Sequence, residues 1–288
     1  MVGGSNPPAA TIQSMIMIAP VHASFLKARD RMRSPHHLAI FRLSAIFAAL
    51  LSIAPTFAAD LAVVTTGALH HMVLDLVPAF EARTGDKVIV TNDTAGGVRA
   101  RVERGEVFDV IILTVGGLET LTAKGKIVPG SAAPLAKSSI GLAVKDGAPQ
   151  PDISTAEAFK SAMLAAPSIA WTDPASGGTT GIYLGKLFER MGIADAVRAK
   201  SVLVRGGLSA ARILTGEATH ALQPVSELLA VTGVTVAGKL PEELQGHTIY
   251  GAGIGAAAVH PGGAKAFLAD LRGEAGTRSL TAHGMTVP

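Results

Sequence analysis

The chain has 288 residues, no cysteine and a formal net charge of +3. The lack of cysteine excludes disulfides and thiolate metal sites as sources of stability. Five of the 25 Lys and Arg and one of the 22 Asp and Glu precede residue 59, which leaves 20 basic and 21 acidic side chains in residues 59–288. The positive charge therefore belongs to the N-terminal segment, and no basic run remains that would indicate nucleic-acid binding.

The first 58 residues are predicted to be a leader outside the fold. From Met32 the chain carries basic residues, a short apolar run at 43–53 and small residues up to Ala59. This pattern predicts a secretory signal peptide at about 32–58, cleaved after Ala58. A membrane anchor is the alternative, but the run is well short of the roughly 20 residues that a spanning helix needs. Residues before Met32 have no periodic pattern, as expected of an over-long start.

Strand-like and helical patterns alternate along the rest of the chain. Apolar runs predict strands at 61–65, 87–91, 108–113, 140–144, 169–171, 202–204 and 221–223. Gly85, Gly125 and Gly192 stand where helices should end, and Ser154 with Glu157 has the spacing of a capping box. The alternation favours an α/β fold with parallel sheets covered by helices.

Four predicted strand-to-helix turns are rich in glycine and hydroxyl residues, at 65–68, 92–97, 176–181 and 205–209. Ligands of open parallel sheets bind beyond the carboxyl ends of the strands, so these turns are expected to meet at one ligand. The turn at 176–181 opens a helix, whose N–H groups and dipole suit an anion. The alternative is an ordinary helix start capped by Thr179 or Thr180, because such turns favour Gly, Ser and Thr whatever their function.

Five segments resemble the periplasmic molybdate-binding proteins and their relatives, which are type II periplasmic solute-binding proteins. They read FDVIIL at 108–113, GKIVPGS at 125–131, IGLAVKDGAP at 140–149, DPASGG at 173–178 and GEA at 216–218. The resemblance extends over residues 60–288. It implies two lobes, each a mainly parallel sheet flanked by helices, at 60–143 plus 249–288 and at 144–248. Two segments near 140–144 and 248–251 would cross between the lobes, and the ligand would lie in the cleft between them.

Three positions depart from the molybdate-binding pattern. Ala68 stands where the family has a serine, Ala95 and Gly96 where it has a pair of serines, and Gln223 where it has a tyrosine. A site built to hydrogen-bond one substrate rejects ligands that leave its polar groups unpaired, so molybdate is disfavoured. The ligand-binding residues that the resemblance and the turns imply are Thr65, Thr66, Gly67, Ala68, Thr94, Ala95, Gly96, Thr114, Ser176, Gly177, Gly178, Thr179, Arg205, Gly206 and Gln223.

The resemblance implies a receptor that captures a small anion in the periplasm and delivers it to the membrane permease of an ABC importer, acting as a monomer. We expect no metal or cofactor, because no nucleotide loop appears and the six histidines after residue 58 are scattered.

The alternative function is that of an isomerase. Residues 223–227, QPVSE, resemble a branch of the family that contains periplasmic aconitate isomerases. Such an enzyme moves a proton along an allylic tricarboxylate, for which Glu227 and His70 are the candidate bases, with His71 as a further one. Arg205 or Arg99 are candidates for pairing with substrate carboxylates. Each of these side chains has an alternative interpretation as an ordinary helix-end or surface residue.

Overall fold

The computed structural model describes residues 60–288, so the predicted leader lies outside the described residues. Within this range the strands form two five-stranded sheets. The first has the order β2, β1, β3, β10, β4 and the second β7, β6, β8, β5, β9. The strands are β1 Asp60–Thr66, β2 Lys87–Asp93, β3 Val110–Thr114, β4 Ala133–Ser138, β5 Ile140–Lys145, β6 Ile169–Thr172, β7 Ser201–Val204, β8 His220–Pro224, β9 Val234–Lys239 and β10 Thr248–Ile254.

Helices cover both sheets. We call the first sheet with its helices the first lobe, and the second sheet with its helices the second lobe. Helices of the first lobe are α1 Gly67–Thr84, α2 Ala95–Glu103, α3 Val115–Ala123, α9 Pro261–Arg272 and α10 Glu274–Ala282. Those of the second are α4 Ala156–Ala165, α5 Thr179–Arg190, α6 Ala194–Arg198, α7 Ala211–Leu214 and α8 Val225–Leu229. In residues 60–288, no helix combines the length and the apolar character that crossing a membrane requires.

The predicted two-lobed α/β class is confirmed, with one refinement in the strand directions. β1 runs parallel to β2 and β3, and β6 runs parallel to β7 and β8. β10 is antiparallel to both of its neighbours in the first sheet, and β5 is antiparallel to both of its neighbours in the second. Each sheet is therefore mixed, because the chain enters it along one strand that comes directly from the other sheet.

The two crossings are short. The chain leaves the first sheet after β4 and enters the second at β5, with only Ser139 between them. It returns over residues 240–247, which join β9 to β10. The segments predicted as crossings therefore form the strands that directly follow these connections, and the exact division of the chain into lobes remains a prediction.

Helix ends follow the glycine pattern, but one predicted cap is wrong. Gly85 ends α1 in the left-handed conformation with φ of 80°, and Gly125 and Gly192 also have positive φ just beyond helices. Before α4, Thr155 rather than Ser154 is the N-cap, because its side chain accepts the Ala158 N–H. The helix thus begins one residue later than the capping box predicts.

A buried carboxylate ties the first lobe together. Asp109, 2% exposed, accepts the N–H of Ala62 on β1 at 2.8 Å and the N–H of His260 before α9 at 2.7 Å.

The substitution Asp109→Ala should lower the free energy of unfolding by about 3 kcal/mol, because it leaves these two backbone N–H groups without an acceptor. Urea unfolding measures the loss. Asp146→Ala is the control, since exposed Asp146 accepts one side-chain bond, from Thr235; an equal loss in both variants would contradict the prediction.

Candidate functional site

A cavity of about 450 Å³ lies between the two lobes. The first lobe contributes the turns that follow β1 and β2, and the second contributes the turns that follow β6, β7 and β8. The carboxyl ends of the central strands thus converge on one space, as expected for open α/β sheets. The lining residues are Thr66, Gly67, Ala68, His70, His71, Asn92, Asp93, Thr94, Ala95, Thr172, Gly178, Thr179, Thr180, Gly206, Gly207, Leu208, Pro224, Glu227 and Tyr250.

Two helices start in the cavity wall without a side-chain cap. α1 begins after Thr66 and α5 after Gly178, and neither start has a capping hydrogen bond from a side chain. The interpretation of Thr179 or Thr180 as an ordinary cap is therefore wrong. The first N–H groups of a helix have no partner within the helix and carry the positive end of its dipole. An anion in the cavity can accept hydrogen bonds from both helix starts.

The carboxyl of Glu227 is the central ionisable group of the cavity. Its side chain lies in the first turn of α8, and Gln223 Nε2 donates to its Oε2. Its Oε1 packs so closely over Gly67 that a Cβ there would stand 2.9 Å away. Glu227 is one of the residues that line the cavity. Burial raises the pKa of Glu227 to about 8, so the neutral acid predominates at pH 7.

Two further ionisable groups of the cavity, His70 and Tyr250, also favour their uncharged forms. Burial, and secondly the charge of His71, lowers the pKa of His70, whose Nδ1 is buried without a hydrogen-bond partner in the structure. Burial, and secondly Glu227, raises the pKa of Tyr250. At neutral pH the site therefore combines a carboxylic acid, a neutral imidazole and a phenol.

Among the described residues, no lysine or arginine lines the cavity. Arg205 is 86% exposed at its side chain and pairs with Asp173 at 3.2 Å. Arg99 pairs with Glu103 on the surface of α2. A bound anion would accordingly rely on helix starts, backbone N–H groups and neutral donors.

The lobes touch each other at the rim of the cavity. The Thr94 hydroxyl donates to the Ser176 carbonyl at 2.7 Å, and the Gly96 N–H donates to the Gly177 carbonyl at 3.1 Å. A Cβ on Gly96 would stand 2.9 Å from the Gly177 Cα, and Gly177 has φ of 74°. The close approach of the two turns therefore requires glycine on both sides, and it joins the lobes at this edge of the cavity.

The predicted ligand residues divide into two groups. Thr66, Gly67, Ala68, Thr94, Ala95, Gly178, Thr179 and Gly206 line the cavity, as do the candidate bases Glu227, His70 and His71. Thr65 is fully buried, Thr114 caps α3, Gln223 lies behind Glu227, Arg205 faces solvent, and Gly96, Ser176 and Gly177 form the rim contact. Ligand contact by any of these residues remains a prediction.

Sequence reasoning missed three cavity residues that lie on strands or directly after them. Thr172 ends β6, Pro224 ends β8, and Tyr250 lies within β10. Tyr250 carries a signal that could have identified it, because it is one of two tyrosines in the chain and lies in a predicted crossing segment, next to the cleft. Thr172 and Pro224 carry no comparable signal.

Comparison with known proteins identifies the family. Residues 61–286 match the model of the bacterial extracellular solute-binding proteins, so the chain belongs to that family. An aconitate isomerase of a Pseudomonas species is 32% identical over 251 residues, which cover 84% of this chain and 94% of that protein.

Solved structures show the same fold at low identity. The periplasmic molybdate-binding protein of Azotobacter vinelandii has a TM-score of 0.66 and 18% identity, covering 80% of this chain and 99% of that one. A periplasmic thiamin-binding protein has a TM-score of 0.60 and 16% identity, covering 81% and 85%. These two neighbours share the two-lobed architecture with the chain.

The rim contact predicts that Gly96→Ala keeps the lobes apart. The added methyl group meets the Gly177 backbone, which cannot move aside without separating the turns. Small-angle scattering should give a larger radius of gyration for this variant than for the unaltered protein. Gly116→Ala is a matched control. Gly116, like Gly96, is the second residue of a helix that follows a threonine N-cap, but the space around Gly116 is open. An equal radius for both variants would count against the rim contact.

The raised pKa of Glu227 predicts a pH dependence of stability. The folded protein keeps a proton on this carboxyl between its usual pKa of 4.5 and about 8, whereas the unfolded chain releases it. The free energy of unfolding should therefore fall as the pH rises through this range. Urea unfolding at several pH values should show a shallower fall for Glu227→Gln, and an unchanged slope for the exposed control Glu119→Gln. The idea fails if Glu227→Gln retains the full slope.

Proposed function

We propose that this member of the bacterial extracellular solute-binding protein family is an exported isomerase that moves a proton along a small unsaturated carboxylic acid. Aconitate is the candidate substrate. The observation that carries the proposal is Glu227, a carboxyl without a basic partner in the wall of the cleft, whose pKa of about 8 suits proton transfer near neutral pH. The 32% identity to an aconitate isomerase over nearly its whole length supports it.

The size of the cavity favours an organic acid over a tetrahedral oxyanion. A volume of about 450 Å³ falls within the range of roughly 300–1,000 Å³ that is typical of pockets for small organic molecules. Molybdate, with five heavy atoms, would fill only a small part of it. The wall also has Ala68 and Ala95 where molybdate-binding relatives are expected to place hydroxyl groups.

The carboxylates of the substrate would be bound by neutral groups. The uncapped starts of α1 and α5 offer N–H donors from opposite lobes. His70 adds an imidazole to the cavity wall, and protonated Glu227 adds an O–H donor. With Glu227 neutral, the cavity avoids the repulsion that an ionised carboxylate would exert on an anionic ligand.

The chemistry requires only a proton shift. Ionised Glu227 would remove a proton from the methylene carbon of the substrate, and the electrons of that C–H bond would form a new C=C bond. The electrons of the old double bond would then take a proton at its far carbon, which leaves the substrate isomerised and Glu227 ionised again. At pH 7 a group with a pKa of about 8 is ionised in about one molecule in ten, so both forms are accessible.

Neutral donors would stabilise the intermediate of this reaction. Removal of the proton places negative charge on the conjugated carboxylate, and hydrogen bonds stabilise that charge best in a site closed to water. The Tyr250 hydroxyl and the imidazole of His70 both border the cavity and are uncharged at neutral pH. The rim contact between Gly96 and Gly177 would keep water out during the reaction.

The second candidate is a receptor for a small anion in the same cleft. Membership in the family and the closed contact between the lobes favour it. Such a receptor would work in the periplasm as a monomer and would pass its ligand to the membrane permease of an ABC importer. Enzyme and receptor share fold, cleft and ligand class, so only turnover distinguishes them.

The test combines binding with turnover. A thermal-shift panel of molybdate, tungstate, sulfate, citrate, cis-aconitate and trans-aconitate should give stabilisation by the tricarboxylates. Proton NMR should then show interconversion of the two aconitates. Glu227→Gln should lower the rate at least 100-fold while ligand stabilisation persists, because the amide keeps the shape but cannot carry the proton.

Glu119→Gln, an exposed change on α3, should leave the rate unaltered. Tricarboxylate binding without interconversion would reject the enzyme and favour the receptor. Stabilisation by molybdate alone would reject an organic ligand.

A further inference from the structure

We infer that Gln223 is a positioning residue that keeps the proton of neutral Glu227 on Oε1, the oxygen that packs over Gly67. The inference deepens the proposed function and rests on it, because it names the oxygen through which Glu227 would exchange its proton with a substrate. It also gives Gln223 a role behind the cavity wall rather than as a direct ligand residue.

The side-chain amide of Gln223 has one possible orientation. The residue is 0% exposed near the end of β8, and its Oε1 accepts the Ala210 N–H at 3.1 Å. Its Nε2 donates to the Gly207 carbonyl at 3.4 Å and to Glu227 Oε2. A backbone N–H can only donate and a carbonyl can only accept, so turning the amide around would break both backbone contacts.

This orientation decides which oxygen of Glu227 carries the proton. Oε2 faces an NH₂ group, so a proton on Oε2 would point at another donor. The proton of the neutral acid therefore belongs on Oε1, which packs over Gly67 at the start of α1. Gly67 and Glu227 both line the cavity, so the inferred O–H belongs to the cavity wall at the start of α1.

The same hydrogen bond acts when the proton leaves. A donor to a carboxylate stabilises the ionised form and so lowers the pKa against the effect of burial. The Gln223 amide is the side-chain donor recorded on Glu227. It also connects the carboxyl to the Gly206–Gly207 turn, which lines the same cavity.

Other ionisable groups must be considered in the titration of Glu227. Those that share the cavity are His70 and His71 on α1, Asp93 at the end of β2 and Tyr250 on β10. The strands β5, β8 and β9, which also pack against α8, carry Lys145, His220 and Lys239, none of which lines the cavity. Substitution of Gln223 leaves all of them in place.

The experiment measures the Glu227 carboxyl directly. In protein labelled with ¹³C at the glutamate carboxyl carbons, the Glu227 resonance is the one that disappears in Glu227→Gln. In Gln223→Met the titration midpoint of that resonance should rise by about one pH unit, because the carboxylate loses its donor.

The matched control is Gln245→Met. The side-chain amide of Gln245 also makes three hydrogen bonds in the second lobe. It accepts from the Ile140 N–H and donates to the carbonyls of Ile140 and Leu240, and none of these partners is a carboxyl. It should leave the Glu227 midpoint unchanged. Gln223→Glu is the second variant if Gln223→Met does not fold. This variant preserves the side-chain shape, and its two carboxyls should share one proton. That last proton should be lost at a higher pH than the Glu227 titration midpoint of the unaltered protein.

An unchanged midpoint in the folded Gln223 variants, or an equal rise in Gln245→Met, would overturn the positioning role. The readout does not depend on turnover. A raised midpoint in a protein that fails to interconvert the aconitates would support the role of Gln223 and reject the isomerase. The two proposals can therefore fail separately.

Discussion

The site depends on the burial of one carboxyl between the two lobes. Glu227 belongs to the second lobe, but Gly67 at the start of α1 in the first lobe covers its Oε1. Because the Glu227 carboxyl is buried without a neighbouring cation, its pKa rises to about 8 and its neutral form predominates below that pH. An anionic ligand is then compatible with a site that contains an acidic residue, because the carboxyl can donate a hydrogen bond instead of repelling the ligand.

Glycines make this burial possible by allowing contact between the lobes, whereas the sequence predicted that they allow contact with a ligand. The glycine-rich turns predict close approach of backbone to a ligand, and Gly67 and Gly178 do line the cavity. At Gly96 and Gly177, however, the close approach is between the lobes themselves. A turn without Cβ atoms serves either purpose, so composition alone cannot distinguish contact with a ligand from contact with the other lobe.

The parts of the fold set by local patterns were predictable, and the parts set by distant contacts were not. Alternating strands and helices predicted the α/β class, and four turns predicted most of the cavity wall. β4, β9 and β10 were not among the predicted strands. Their sequences, APLAKS, VTVAGK and TIYGAGI, lack a continuous apolar run, and these strands depend on pairing with distant parts of the chain. Gln223 was predicted to touch the ligand, but its position behind Glu227 depends on Ala210 and Gly207, which no spacing in the sequence connects to it.

The difference between a receptor and an isomerase on this fold lies in what a single buried carboxyl does. A receptor needs Glu227 only as a fixed donor, and a neutral acid whose pKa stayed far above the working pH would serve it best. An isomerase needs the same group to give and to take a proton, so its pKa must lie near the working pH. Burial drives the pKa upward, and the inferred role of the Gln223 donor is to oppose that rise. The pairing of an isolated buried acid with one oriented amide therefore fits proton transfer better than simple capture of an anion.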